Sequence, residues 1–332
     1  MSRLLIPIHF NPDADLVYNI GHIASIGDPR FKEWLLTSCA LAEARMPTLV
    51  CATRYLTQYN SKVKSEPPRT PLLDKVESLA LHHRDPIAMT LHAQALGLRR
   101  RHNDAIPLIE EVMGAIKPDS NPPTLVNGGF LGGFPLPWDV YEWLKREVGD
   151  RDAAVEAVKL AALEYHEPSA LVKYANHVLA EKGDLELYEE CMSKAASAGH
   201  PEACRKLANF YLLTSVGRYP RRGEGSAKQP LQANGSGPKR SWLSSLFNRS
   251  LSLPDYGKLA RGWYRIACLH GSRKAALTFS LLLREQGDYQ TGKLYLEMAA
   301  MEPELLPAIR GYRVNWDNQE LSLVVDYAKL EV

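Results

Sequence analysis

The chain has 332 residues, of which 45% are hydrophobic and 23% charged, and its formal net charge is +2. This balance excludes a wholly disordered chain and a nucleic-acid surface spread over the whole protein, and no apolar run reaches the length of a spanning helix. The cysteines Cys39, Cys51, Cys191, Cys204 and Cys268 are odd in number, scattered and mostly on apolar stripes. They read as reduced core residues of an intracellular, cytoplasmic protein.

In chain order, residues 1–27 form an N-terminal extension or cap without a charged-then-apolar secretory signal, a mitochondrial leader being the alternative. Residues 28–216 are expected to be helical repeats. The first pair carries Trp34, Leu35, Cys39 and Leu41 on one helix and Leu49, Val50 and Leu56 on the next, and Pro67, Pro68 and Pro71 mark the loop that follows. Arg99, Arg100 and Arg101 end a later helix, where cations favour the helix dipole; a phosphate-binding patch is the alternative. Residues 128–137 are glycine-rich but lack the Gly-Lys-Ser/Thr of a phosphate loop and a preceding strand. They are expected to be a long loop in which Phe130, Phe134 and Trp138 plug the groove between repeats.

Residues 217–254 break the repeats with Arg218, Arg221, Arg222, Lys228, Lys239, Arg240 and Arg249 against the single acid Glu224. Rich in Gly, Ser and Pro, this basic insert is expected to be disordered. Within it Trp242, Leu246 and Phe247 have the spacing of a short apolar face that folds onto a partner or an anionic membrane. Residues 255–332 resume the repeats and close them, Trp316, Leu321, Val324, Val325 and Tyr327 forming a final capping helix.

A shift of 33 residues places Ala170 over Ala203 and Tyr174-Ala175-Asn176 over Leu207-Ala208-Asn209. Small residues recur in pairs five apart: Ala88/Ala93, Ala170/Ala175, Ala203/Ala208 and Ala275/Ser280. Apolar residues at Leu171, Tyr174 and Val178, at Cys204, Leu207 and Tyr211, and at Ala276, Phe279 and Leu283 complete one stripe along a helix, which His92 interrupts. Pro47, Pro86, Pro168 and Pro201 are expected to open these helices, since proline lacks only an N–H that the first turn leaves unpaired. Before each runs a second helix, capped by the Asp of Gly27-Asp28, Asn103-Asp104, Gly149-Asp150, Gly183-Asp184 or Gly287-Asp288, with Asp255 standing alone. A helix pair cannot bury its apolar face by itself, whereas stacked pairs can, so the period implies a solenoid.

Met192-Ser-Lys-Ala-Ala-Ser-Ala-Gly-His-Pro-Glu-Ala203 with Leu207-Ala-Asn-Phe-Tyr211 resembles the Sel1-like branch of the tetratricopeptide superfamily. Weaker copies run from Trp263 to Ala275 and from Ala161 to Ala170, and only Gly199 and Gly271 carry the family's Gly after the paired alanines. The resemblance implies an all-α, right-handed superhelical solenoid of antiparallel helix pairs whose first helices line a concave face. It also implies a scaffold or adaptor holding a protein or peptide partner, rather than an enzyme. In peptide-gripping members similar Lys and Asn side chains hold a carboxylate, which makes Lys173, Asn176, Lys206 and Asn209 the candidate partner-binding ladder on that face.

No Gly-x-Ser-x-Gly, His-Glu-x-x-His or Cys-x-x-Cys occurs, and the ten histidines are dispersed. The expectation is a non-catalytic scaffold without cofactor, metal, nucleic-acid partner or transmembrane segment. The alternative is a membrane-peripheral, for instance mitochondrial, assembly factor recruited through Trp242, Leu246 and Phe247.

Overall fold

A computed structural model describes residues 13–24, 27–59, 66–115, 133–222, 252–318, 320–321 and 323–332. The first twelve residues, Phe130, and most of the basic insert with Trp242, Leu246 and Phe247 lie outside the described residues. The described residues form fifteen α-helices and two 3-10 turns, with no strand. The helices are α1 (Ala14–Ala24), α2 (Pro29–Leu41), α3 (Arg45–Thr57), α4 (Pro71–Leu81), α5 (Pro86–Leu98), α6 (His102–Ala115), α7 (Pro137–Glu147), α8 (Arg151–Leu163), α9 (Pro168–Lys182), α10 (Leu185–Ser197), α11 (Pro201–Ser215), α12 (Leu253–Leu269), α13 (Arg273–Glu285), α14 (Tyr289–Ala299) and α15 (Leu306–Asn315). The chain divides into two compact units, Met1–Leu160 and Ala161–Val332, with the division inside α8.

In the first unit each helix from α1 to α7 packs on the next, and α1 also meets α3, α3 meets α5 and α5 meets α7. The odd-numbered helices therefore make one layer and the even-numbered helices pack against it. In the second unit α9 to α14 likewise pack each on its successor. Both are all-α arrays of sequential neighbours, which is the architecture the repeat period demands.

The small residues that define the repeat lie in the core. Ala88, Ala93, Ala170, Ala175, Ala203, Ala208, Ala275 and Ser280 are all buried, as are the stripe residues Leu171, Tyr174, Val178, Cys204, Leu207 and Tyr211. His92 is buried too, and desolvation holds its pKa below the usual imidazole value, with Glu77 opposing and Arg99 and Arg101 reinforcing the shift. In the first pair only part of the expected stripe is inside: Leu35 and Cys39 are buried, while Trp34 and Leu41 are exposed.

The helix starts follow a rule finer than proline. Three residues before the first small residue stands a side chain that accepts its N–H: Asp85 from Ala88 (2.9 Å), Glu167 from Ala170, His200 Nδ1 from Ala203 (3.3 Å) and Ser272 from Ala275 (3.3 Å). Asp85 also forms an ion pair with Arg45. Pro47, by contrast, is the third residue of α3, which opens at Arg45, because Asp15 accepts the N–H groups of Arg45 (2.9 Å) and Met46 (3.0 Å) and starts the helix earlier. Asp28, Asp150, Asp184 and Asp288 cap second helices as expected. Asp104 does not: α6 starts at His102, and Asp104 pairs with Arg101 from its first turn. Asp255 is likewise the third residue of α12, completing a capping box with Ser252.

The residue before each cap adopts a left-handed backbone: Gly199 (φ 84°) and Gly271 (φ 90°), but also Arg84 (φ 51°) and His166 (φ 51°). A non-glycine residue there costs about 1–3 kcal/mol, partly offset by the looser unfolded chain that glycine brings. His166 is exposed, so little packing is lost on removing its ring. His166→Gly is expected to stabilise the second unit by about 0.5–1 kcal/mol in urea denaturation; a lower midpoint would refute the strain argument.

Gly97 shows the opposite case. A Cβ at this mid-helix position of α5 would stand 2.5 Å from Leu144 Cδ2 and 2.7 Å from the Trp143 ring. Leu144 is fully buried in the cluster of Ala93, Leu96, Ala105, Ile109 and Val140 that joins α5, α6 and α7. Gly97→Ala normally favours a helix by about 1 kcal/mol. Here it is expected to cost about 1–3 kcal/mol through overpacking, read as a lower thermal midpoint.

After α15 the chain leaves helical geometry. The expected capping helix through Trp316, Leu321, Val324, Val325 and Tyr327 is replaced by an irregular segment and a short 3-10 turn, Tyr327–Lys329. The physical reason is that Arg284 and Glu285 at the end of α13 take up main-chain groups of Trp316, Asn318, Leu321 and Val325, while the local bonds that remain, such as Leu321 N–H to Asn318, close turns and not a helix.

Candidate functional site

Lys206 and Asn209 are one turn apart on α11 and so share a face. Both are buried, unusually for polar side chains, at 8% and 1% exposure. Asn176, from α9, accepts a hydrogen bond from Lys206 Nζ at 2.8 Å. Tyr264, from α12 and fully buried, donates its hydroxyl proton to Asn209 Oδ1 at 2.5 Å. That bond orients the Asn209 amide so that its NH2 points away from α12.

What the NH2 meets is the chain's own last described segment. Asn209 Nδ2 donates to the main-chain oxygen of Glu331 (2.6 Å), and Lys206 Nζ donates to that of Val332 (3.3 Å). Upstream, Arg218 Nη1 donates to the Tyr327 oxygen (3.0 Å). Arg205 lies 3.6 Å from the Glu331 carboxylate and 3.7 Å from Glu202. Leu330 is extended (φ −76°, ψ 111°). The segment therefore runs past α11 toward α9, its carbonyls read by three side-chain donors.

Burial also sets the electrostatics. Desolvation lowers the Lys206 pKa; Glu202 and Glu331 push it back up, and Arg205 lowers it further. The ammonium donates to the side-chain oxygen of Asn176 and to a main-chain oxygen of Val332. A buried cation favours negative charge around it.

Of the residues expected to bind a partner, the structure brings together Asn176, Lys206 and Asn209. Lys173 lies on α9, exposed, one turn before Asn176. Trp242, Leu246 and Phe247 are outside the described residues. Sequence reasoning missed Tyr264, Arg205 and Arg218. Tyr264 lies in the repeat copy that starts at Trp263, but nothing local distinguishes a hydroxyl that orients an amide 55 residues away.

The cysteines show no activation. Burial pushes the thiols of Cys191 and Cys204 up to about 11 and that of Cys268 to about 12, away from the thiolate form. Among the described residues no three His, Cys, Asp or Glu side chains gather as a metal site. No single helix among them is long and apolar enough to cross a membrane; α2 and α3 pass such a test only joined, with a 109° bend between them. No protein-family model matches the chain, and no curated protein is significantly similar to it.

Proposed function

We propose that this chain is a non-catalytic protein-interaction scaffold, a right-handed solenoid of Sel1-like or tetratricopeptide-like helix pairs. It grips an extended segment of a protein or peptide partner with Asn176, Lys206 and Asn209. The observation that carries this reading is the recognition of extended main chain by Asn209 and Lys206, at 2.6 and 3.3 Å. Main-chain carbonyls are common to every peptide, and the buried ammonium adds a preference for acidic ones. Five free cysteines, four of them buried, support work in a reducing, intracellular compartment.

The test is selection of a displayed random-peptide library on the chain with residues 327–332 replaced by Gly-Ser repeats. Enrichment of acidic peptides whose binding disappears with Lys206→Ala and Asn209→Ala together is the expected result. A library that enriches nothing dependent on these two residues would sink the scaffold reading.

A further inference from the structure

The site is already filled by the chain itself, and the filling segment is held unevenly. Upstream it is anchored firmly: Trp316 and Val325 are buried, Arg284 binds the carbonyls of Trp316, Asn318 and Leu321, and Glu285 accepts the Val325 N–H at 3.1 Å. Beyond Asp326 the hold changes. Ala328, Lys329 and Glu331 are exposed, and Tyr327, Leu330 and Val332 are only half-buried. The contacts there run to main-chain oxygens, with one carboxylate facing Arg205. Segments with few buried apolar contacts open at low cost while their anchors stay closed.

We propose that residues 327–332 are a strap over the site: they occupy it in cis and are displaced by a partner segment of the same chemistry, an extended peptide with an acidic side chain between two apolar ones. This rests on the scaffold reading above and names its ligand. The strap's own Leu330-Glu331-Val332 is the template, with the acid turned toward Arg205 at 3.6 Å. Its last residue meets Lys206 through a main-chain oxygen. A partner that offers the same main-chain oxygens to Asn209 and Lys206 and a carboxylate to Arg205 competes for the same donors.

The experiment titrates a fluorescent synthetic peptide of residues 323–332 into three forms of the full chain: intact, with 327–332 replaced by Gly-Ser repeats, and the replaced form carrying Lys206→Ala and Asn209→Ala. The replacement keeps the Trp316 and Val325 anchors, and circular dichroism checks that the helices persist. The expected result is binding to the strapless form with a dissociation constant on the order of 10 µM. Binding to the intact chain is then weaker by about a hundredfold, because a tethered segment competes at an effective concentration on the order of millimolar. The double alanine form should bind at least tenfold more weakly than the strapless one, by roughly the loss of two charge-assisted or buried hydrogen bonds. As a check that needs no replacement, Leu330→Ser with Glu331→Lys in the intact chain should raise its affinity for the peptide. Equal affinity of intact and strapless forms, or none for the strapless form, overturns the proposal. If library peptides bind through Lys206 and Asn209 while the 323–332 peptide neither binds nor competes, the strap fails and the scaffold stands.

Discussion

Trp316→Ala is expected to remove about 3–5 kcal/mol from the second unit, the range for deleting a buried aromatic side chain. Trp316 has no exposed surface. Its indole N–H donates to the Tyr289 carbonyl at 3.1 Å, and its own carbonyl accepts from Arg284 Nε at 3.1 Å. Arg284, itself buried, lies 5.7 Å from the Trp316 ring and 5.5 Å from Tyr289, and its remaining nitrogens hold Leu321 (3.0 Å) and Asn318 (2.6 Å). The backbone has been shaped around the indole: a Cβ on Gly292 would stand 2.9 Å from both the Trp316 ring and the main-chain oxygen of Ser280. Alanine therefore leaves a cavity, loses the indole hydrogen bond to Tyr289 and takes away one of the two rings beside the Arg284 guanidinium. Urea denaturation followed by hydrogen exchange in α13 and α14 measures the loss. Trp316→Phe should recover much of the packing but not the indole hydrogen bond, leaving a deficit of about 1 kcal/mol. Unaltered exchange in these two helices after Trp316→Ala would show that the tail is decoration on α13 rather than part of the unit's core.

The second large effect is at the Tyr264–Asn209 pair. Asn209→Leu strands a fully buried hydroxyl and releases the Glu331 carbonyl, an expected cost of about 1–3 kcal/mol. Tyr264→Phe alone leaves Asn209 Oδ1 without its donor and costs about 1 kcal/mol. The double variant has no stranded hydroxyl, so its cost should fall short of the sum by about 1 kcal/mol, the coupling energy of the pair. The two singles should also differ at the site. Asn209→Leu removes the group that reads the peptide carbonyl, whereas Tyr264→Phe only frees the amide to rotate and should weaken 323–332 peptide binding less. Strict additivity in stability, with equal losses in binding, would mean that Tyr264 does not orient Asn209.

The helix content and the buried faces were legible because they depend on neighbours three to five positions away. Ala170/Ala175 and Ala203/Ala208 announce close helix contacts by size alone, and Gly183-Asp184 announces a stop and a start because only glycine sits easily at φ 62° and aspartate caps well. The same local logic located Asn176, Lys206 and Asn209 through their matching repeat offsets. It erred where a distant group supplied the deciding bond. Asp15 reaches across 30 residues to start α3 before Pro47, and Arg284 draws the carbonyls after Trp316 out of the helix their apolar spacing suggested.

The sequence by itself determined the helices, their small-residue seams and which polar side chains recur on one face. Only the tertiary structure decided that this face is occupied, and by what. The Asn209–Glu331 and Lys206–Val332 bonds join residues 122 and 126 positions apart. Main-chain carbonyls supply the acceptors, and every residue has one, so no side-chain pattern in residues 327–332 could mark them as the occupant.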